Sequence, residues 1–168
     1  SEQFLLLEGK IAKTDTYVNN NNIATARLTT TDNILSQVID AAANLKNLIS
    51  QRRNAASNSS AFPETLRGTW QTLAGQLNTS QEGRYLFSGT STNIQPVDTE
   101  NFPTIDNDGT PNTNYYNGSK NDVVLRADDT SEIAYNVRAD DAGIQKIFAG
   151  LAMAQKGHDA NSDEYLSK

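Results

Sequence analysis

The stretch FLLLEGKIAKTDTYVNNNNIATARLTTTDNILSQVIDAAANLKNLI, residues 4–49, decides the fold. It contains no proline and one glycine, Gly9. Alternating steps of three and four visit Phe4, Leu7, Ile11, Thr14, Val18, Asn21, Thr25, Leu28, Asp32, Leu35, Ile39, Ala42, Lys46 and Ile49. Nine of these fourteen are apolar, so a single seam runs the whole length. Helix propensity is poor around Asn19–Asn22 and Thr29–Thr31. The register nevertheless survives, which predicts one long helix over residues 1–52, with Leu28, Leu35 and Ile39 in its core stripe. Forty-six helical residues reach about 70 Å. A compact chain of this size has a radius of gyration of only about 15 Å, so a rod is expected.

Working outward, Asn54–Phe62 is rich in Asn, Ser and Ala and reads as a turn. Arg52-Arg53 lie before it, where cations suit a helix C-terminus. Pro63 fits the first position of a second helix, and Glu64 its positive end. Leu66, Trp70, Leu73 and Leu77 make a second three-four seam, predicting a helix over 63–80 that folds back on the first. Each such side chain contributes about 1.5–3 kcal/mol when buried, so this seam locks the hairpin. A third helix is expected over 142–156, with Ile144, Ile147, Phe148 and Leu151 on one face.

Between the second and third helices the composition changes. Arg84–Phe87 is aromatic-rich, flanked by Gly83 and Ser88-Gly89, and reads as a short strand. From Thr90 to Gly118 the chain turns to Thr, Asn, Asp, Pro and Gly, as exposed irregular segments do. Asp122–Ala127 and Glu132–Arg138 are β-type and joined by Asp128-Asp129-Thr130-Ser131, which predicts a hairpin. The net charge is −6, but residues 98–141 alone hold ten acids against three bases. The fold class expected is therefore mainly α with a β-rich insert. Residues 1–89 and 140–168 form a discontinuous, elongated antiparallel helical bundle, and 90–139 a small acidic β lobe. Val123, Val124, Leu125, Ile133, Tyr135 and Val137 supply that lobe's own core, while Tyr85 and Phe87 face the bundle.

Composition excludes several chemistries. There is no cysteine and only one histidine, so thiolate sites, cysteine nucleophiles and multi-histidine metal sites within one chain are ruled out. No apolar run approaches the roughly 20 residues of a membrane span, and no basic segment precedes Phe4–Leu7 as in a secretory signal. The acidic middle repels phosphate, which disfavours nucleic acid. His158 sits beside Gly157 and Asp159 as at an exposed helix end, without the partners of a catalytic base. Asp128-Asp129 and Asp140-Asp141 read as turn and helix-start residues rather than as acid–base pairs. Asp106-Asn107-Asp108-Gly109 lacks a calcium loop's carboxylates, since its first and twelfth positions fall on Thr104 and Tyr115. No enzyme, cofactor or metal emerges. The helix faces outside the seams read as polar and weakly adhesive.

The segment Gly83-Arg84-Tyr85-Leu86-Phe87-Ser88-Gly89-Thr90, placed after a long helix and a returning helix, resembles the motif of the bacterial flagellin family. Within that family it is most similar to the hook–filament junction branch. Filament flagellins typically carry an Asn-Gly followed by a Leu-Leu-Asp-Gly type of ending here. The order downstream is also similar: Tyr116-Asn117-Gly118 opening a β segment, then Ile133–Val137, then Asp140-Asp141 and Ile144–Leu151 entering a helix. The resemblance spans residues 1–157 and implies a fragment lacking both terminal segments of the family, the segments that nucleate its polymerisation, so a monomeric fragment is expected.

What the resemblance implies is a structural protein of the bacterial flagellum, secreted through the flagellar type III export machinery. It would connect the hook, through hook-associated protein 1, to the flagellin filament, with copies of itself in the assembled junction. Absence of cysteine suits passage as an unfolded chain. A flagellin filament subunit is a second reading on the same fold, and an unrelated secreted helical interaction module a third. No nucleic acid or membrane partner is implied.

Overall fold

A computed structural model describes residues 1–54 and 61–160. The expected turn at Asn54–Phe62 falls mostly outside the described residues, as do residues 161–168. Helix α1 (Glu2–Asn54) has 53 residues and is therefore about 80 Å long. It continues through its poor helix formers. There Thr25, Thr29 and Thr30 donate their hydroxyls to the carbonyls of Asn21, Thr25 and Ala26, which keeps these polar groups satisfied within the helix.

Helix α2 (Ala61–Leu77) returns antiparallel to α1: Gln76 Nε2 donates to Gln37 Oε1 at 3.0 Å near one end, and Arg52 covers the Phe62 ring at the other. Helix α3 (Ala142–Asp159) runs alongside the last part of α1, where Arg52 Nε donates to His158 Nδ1 at 3.4 Å. Leu66, Trp70, Leu73, Leu77, Ile144, Phe148 and Leu151 are buried in one core between the three helices. Trp70 meets Phe148 edge-on at 4.8 Å, an arrangement that aromatic quadrupoles favour.

The stripe of α1 facing this core differs from the expected one. Ala24, Thr31, Ile34, Val38, Leu45 and Arg52 are its buried residues, while Leu35 is only half-buried. Leu28 and Ile39, expected in the core, are exposed at 43 % and 65 %. Charge explains the choice. Burying the expected stripe would also bury Asp32 and Lys46, whereas the adjacent stripe holds no charged residue from Thr31 to Leu48. Unpaired buried charge costs more than two exposed aliphatic side chains forfeit.

The β elements are short. Strands β1 (Ser80–Gln81) and β2 (Arg84–Tyr85) pair antiparallel, and β3 (Val124–Arg126) pairs with β4 (Glu132–Ala134) in the register Val124↔Ala134, Leu125↔Ile133 and Arg126↔Glu132. The core of its own expected for 90–139 is absent: Val124 and Ile133 are more than half exposed. Instead Val97, Tyr115 and Ala139 are buried in the helical core, with Phe102 packed against it. A two-stranded ribbon is too small to enclose a core, so the segment's apolar residues join the bundle.

Candidate functional site

The residues from Asn78 to Gly89 tie the helices to everything that follows. Between β1 and β2 the two-residue turn Glu82-Gly83 has φ of 52° and 72°. Positive φ at both positions is the type I′ geometry, whose twist matches paired strands. Glycine accepts it freely, while Glu82 holds it against its preference. After Tyr85 the chain leaves the ladder, and its backbone bonds fan out. Tyr85 N–H donates to Thr92 O, Leu86 N–H to Thr79 O, Ser119 N–H to Ser88 O and Ala139 N–H to Phe87 O.

Side chains complete the knot. Phe87 and Ser88 are fully buried, and Ser88 Oγ donates to Ile94 O at 2.7 Å. Gly89, at φ 61°, lies so close to the next segment that a Cβ there would stand 2.3 Å from Ser119 O. At Gly118 a Cβ would stand 2.4 Å from Tyr116 Oη. The motif residues thus act as backbone-packing positions, and the buried Ser88 hydroxyl is engaged rather than poised for reaction.

Sequence reading missed Asn78. Its Oδ1 accepts from Val97 N–H at 2.8 Å and its Nδ2 donates to Val97 O at 2.9 Å. A polar residue immediately after the apolar seam ending at Leu77 was the available signal. It also missed Arg138, whose guanidinium gathers Asp122, Asp140 and Asp141. The Asp140 and Asp122 carboxylates hold Arg138 firmly protonated. Beside them Tyr115 donates to Ala139 O at 2.9 Å. Burial, with Asp140 nearby, pushes the Tyr116 hydroxyl up to about 12 and raises Tyr115 as well.

The remaining candidates are structural. Asp128 Oδ1 accepts from the N–H groups of Thr130 and Ser131, an Asx turn closing the β3–β4 hairpin. Asp129 reaches α1, accepting from Tyr17 Oη at 2.8 Å and pairing with Lys13 Nζ. These two donors hold its carboxyl below the usual range. Asp106 and Asp108 close a turn at Gly109, with Gly109 N–H donating to Asp106 O and Thr110 N–H to Asp108 Oδ1. His158 is half-buried and tilted over the Phe62 ring at 5.4 Å. Among the described residues no group of three His, Cys, Asp or Glu is arranged to hold a metal. No described helix is long and apolar enough to cross a membrane. The contacts of these side chains close turns and pack elements together.

Residues 3–92 match the family described as the bacterial flagellin N-terminal helical region. No curated protein matches the chain. Among solved structures the chain is similar to FlgL of Bacillus cereus, with 20 % identity over 99 % of this chain and 77 % of that one, at a TM-score of 0.70. It is also similar to flagellar hook associated protein-3 of Legionella pneumophila (21 % identity, 82 % of this chain, 40 % of that one, TM-score 0.66). FlgL of Xanthomonas campestris gives 23 % identity over 77 % of this chain and 40 % of that one, at 0.62. At these identities the likeness establishes the fold. The chain spans about two fifths of the length of the Legionella and Xanthomonas proteins.

Proposed function

This chain belongs to the bacterial flagellin family, and from that premise we propose that it is the structural adaptor joining the flagellar hook to the flagellin filament. In that role it leaves the cell through the flagellar export machinery and assembles outside. It contacts hook-associated protein 1 on the hook side, flagellin on the filament side, and copies of itself around the junction. It performs no catalysis.

The observation that carries the reading is the match of residues 3–92 to the flagellin N-terminal region, on a fold shared over almost the whole chain with a FlgL structure. The geometry is in keeping with it. A helix about 80 Å long with the segment 90–139 folded against one part of it suits a subunit of a tubular polymer, whose neighbours meet along helix sides. The buried Ser88, whose hydroxyl is held by Ile94 O, suits a packing role for the motif.

The test is complementation. The full-length protein is returned to its own host after deletion of the gene, and filaments are counted alongside flagellin shed into the medium. Restored filaments with little shed flagellin are expected. Normal filaments in the deletion strain would overturn the reading. Filaments built of this chain itself would make it the filament subunit instead.

A further inference from the structure

Between α1, the β1–β2 turn and the β3–β4 hairpin lies a cleft of about 370 Å³, with Arg27, Glu82, Arg84 and Tyr135 in its wall beside the apolar Ile23 and Leu125. Three elements distant in the chain thus bring two guanidinia to one place, against a single carboxylate. That balance is the reverse of the whole chain, whose net charge is −6. Arg27 is poorly used where it stands. Its Nη2 lies 3.6 Å from Glu82 Oε2, too far for a hydrogen bond. Its Nε is enclosed and has no hydrogen-bond partner, a rare state for a buried donor. Arg84 is exposed and has no ion pair among the described residues.

A smaller chamber of about 40 Å³ shares Arg27, Arg84 and Tyr135 with this cleft and adds Asn136 to the wall. Asn136 Oδ1 accepts from Val123 N–H at 2.8 Å, which fixes the amide and leaves its enclosed Nδ2 without a partner. Both orphaned groups in these walls are therefore donors. Water accepts from such donors but brings two protons that need acceptors in turn, whereas an anion only accepts.

We propose that this cleft binds a small oxyanion, a carboxylate or a phosphate, held between the guanidinia of Arg27 and Arg84. Guanidinium offers paired N–H groups that match a two-oxygen acceptor. A small turn of the Arg27 guanidinium toward the cleft presents Nε and Nη2 together and ends the isolation of Nε. Two like charges at one cleft repel each other, and an anion between them turns that repulsion into attraction. The apolar Ile23 and Leu125 lower the local dielectric and strengthen the contact.

The site rests on its lining residues and not on membership of the flagellin family, so its failure leaves the junction reading standing. In the experiment, arginine Nε–H signals of the isotope-labelled chain are followed by NMR. Inorganic phosphate is added at neutral pH and constant ionic strength. A parallel titration uses N-acetylglutamate α-amide, whose one carboxylate is that of the side chain. The Arg27 and Arg84 signals are expected to move along a saturating curve. Arg84→Gln should weaken binding at least about tenfold. Arg67→Gln, an equal loss of charge at an exposed position of α2, should leave it unchanged. Circular dichroism checks that both variants are folded. Should Arg84→Gln not fold, Arg84→Lys, which keeps the charge without the paired donors, replaces it and should also bind more weakly. Saturation by phosphate alone supports the site with a free anion as its ligand. Saturation by the glutamate compound, alone or as well, supports it with a protein carboxylate as one. No saturation by either probe, or equal weakening by the Arg84 and Arg67 variants, would overturn the proposal.

Discussion

The side chain of Asn78 pairs with the backbone of Val97 at both hydrogen-bonding groups, accepting its N–H at 2.8 Å and donating to its carbonyl at 2.9 Å. Val97 is fully buried, so its N–H depends on Asn78, while its carbonyl also accepts from Gln95 Nε2 at 3.1 Å. One amide thus does for Val97 what a neighbouring strand would do, and it binds the end of α2 to the segment beyond Thr90. Asn78→Ala is expected to lower stability by about 1–3 kcal/mol, the cost of an unsatisfied buried group. Asn78→Asp, which keeps an acceptor but turns a carboxylate toward Val97 O, should also be destabilised at neutral pH. Urea denaturation followed by Trp70 emission measures both.

A second prediction separates the two stripes of α1. Leu45 is 5 % exposed, and Leu45→Ala should cost about 2–5 kcal/mol. Leu28→Ser and Ile39→Ser should each change stability by no more than about 0.5 kcal/mol, as surface substitutions do. A loss at Ile39 equal to that at Leu45 would show that the helix buries the other stripe.

That contrast marks where the sequence was legible. The three helices, their order and the core residues of α2 and α3 follow from three-four spacing, because a short helix with one apolar face has one way to pack. Helix α1 is harder, since it carries apolar residues on more than one side and only one side meets α2 and α3. The discriminating signal was negative: Asp32 and Lys46 in one stripe, no charge from Thr31 to Leu48 in the other. The placement of 90–139 was misread for a related reason. Alternation in Ile133, Tyr135 and Val137 says which residues share a face, but not whether two short strands can enclose anything. The partnerships of Asn78 with Val97 and of Arg138 with three aspartates depend on loop paths that no periodicity encodes.

A third prediction concerns two glycines with positive φ in unlike surroundings. At Gly83 a Cβ would meet nothing within 4 Å, so Gly83→Ala costs only the left-handed backbone, about 1–2 kcal/mol. Gly83→Asn should recover part of that. At Gly89 the same backbone penalty is joined by a clash with Ser119 O and Asn121 O. Backbone atoms cannot swing aside as a side chain can. Gly89→Ala should therefore be the more damaging, by about 2 kcal/mol or more, and Gly89→Asn should not rescue it. Thermal melts of the four proteins decide the order.

A fourth prediction is a pH dependence at the hairpin tip. Hydrogen bonds from Lys13 and Tyr17 lower the Asp129 carboxyl below its ordinary value. A depressed folded-state value means that the stabilisation is present above the unfolded-state value of about 3.9 and is lost as pH falls through the folded one. The contact is solvent-exposed, so its effect is local and screened by salt. Carbon-detected NMR should show Asp129 titrating below the ordinary carboxylate range. The Tyr17 hydroxyl should exchange faster in acid and in Asp129→Asn with high salt, while the melting temperature hardly moves. An unshifted Asp129 would mean that the tip is not docked on α1 in solution.

The last prediction tests whether residues 90–139 can be separated from the rod. Tyr115 packs edge-on against Phe148 at 4.6 Å, and Phe102 meets Trp70 at 6.3 Å. Val97 and Ala139 close the same core, and Ala139 N–H is bonded to Phe87 O. The segment therefore supplies one wall of the core that α2 and α3 share, and removing it opens that wall to water. Replacing residues 91–138 with a short Gly-Ser linker should abolish a single cooperative melt and shift Trp70 emission to the red. Helical signal should remain in part. A milder variant keeps the chain length and asks the same question. Tyr115→Ala removes the edge contact with Phe148 and the hydrogen bond to Ala139 O, for about 3–5 kcal/mol by analogy with other large aromatic deletions. If the linker variant melts cooperatively at the wild-type temperature, the segment is an independent lobe and the bundle closes without it.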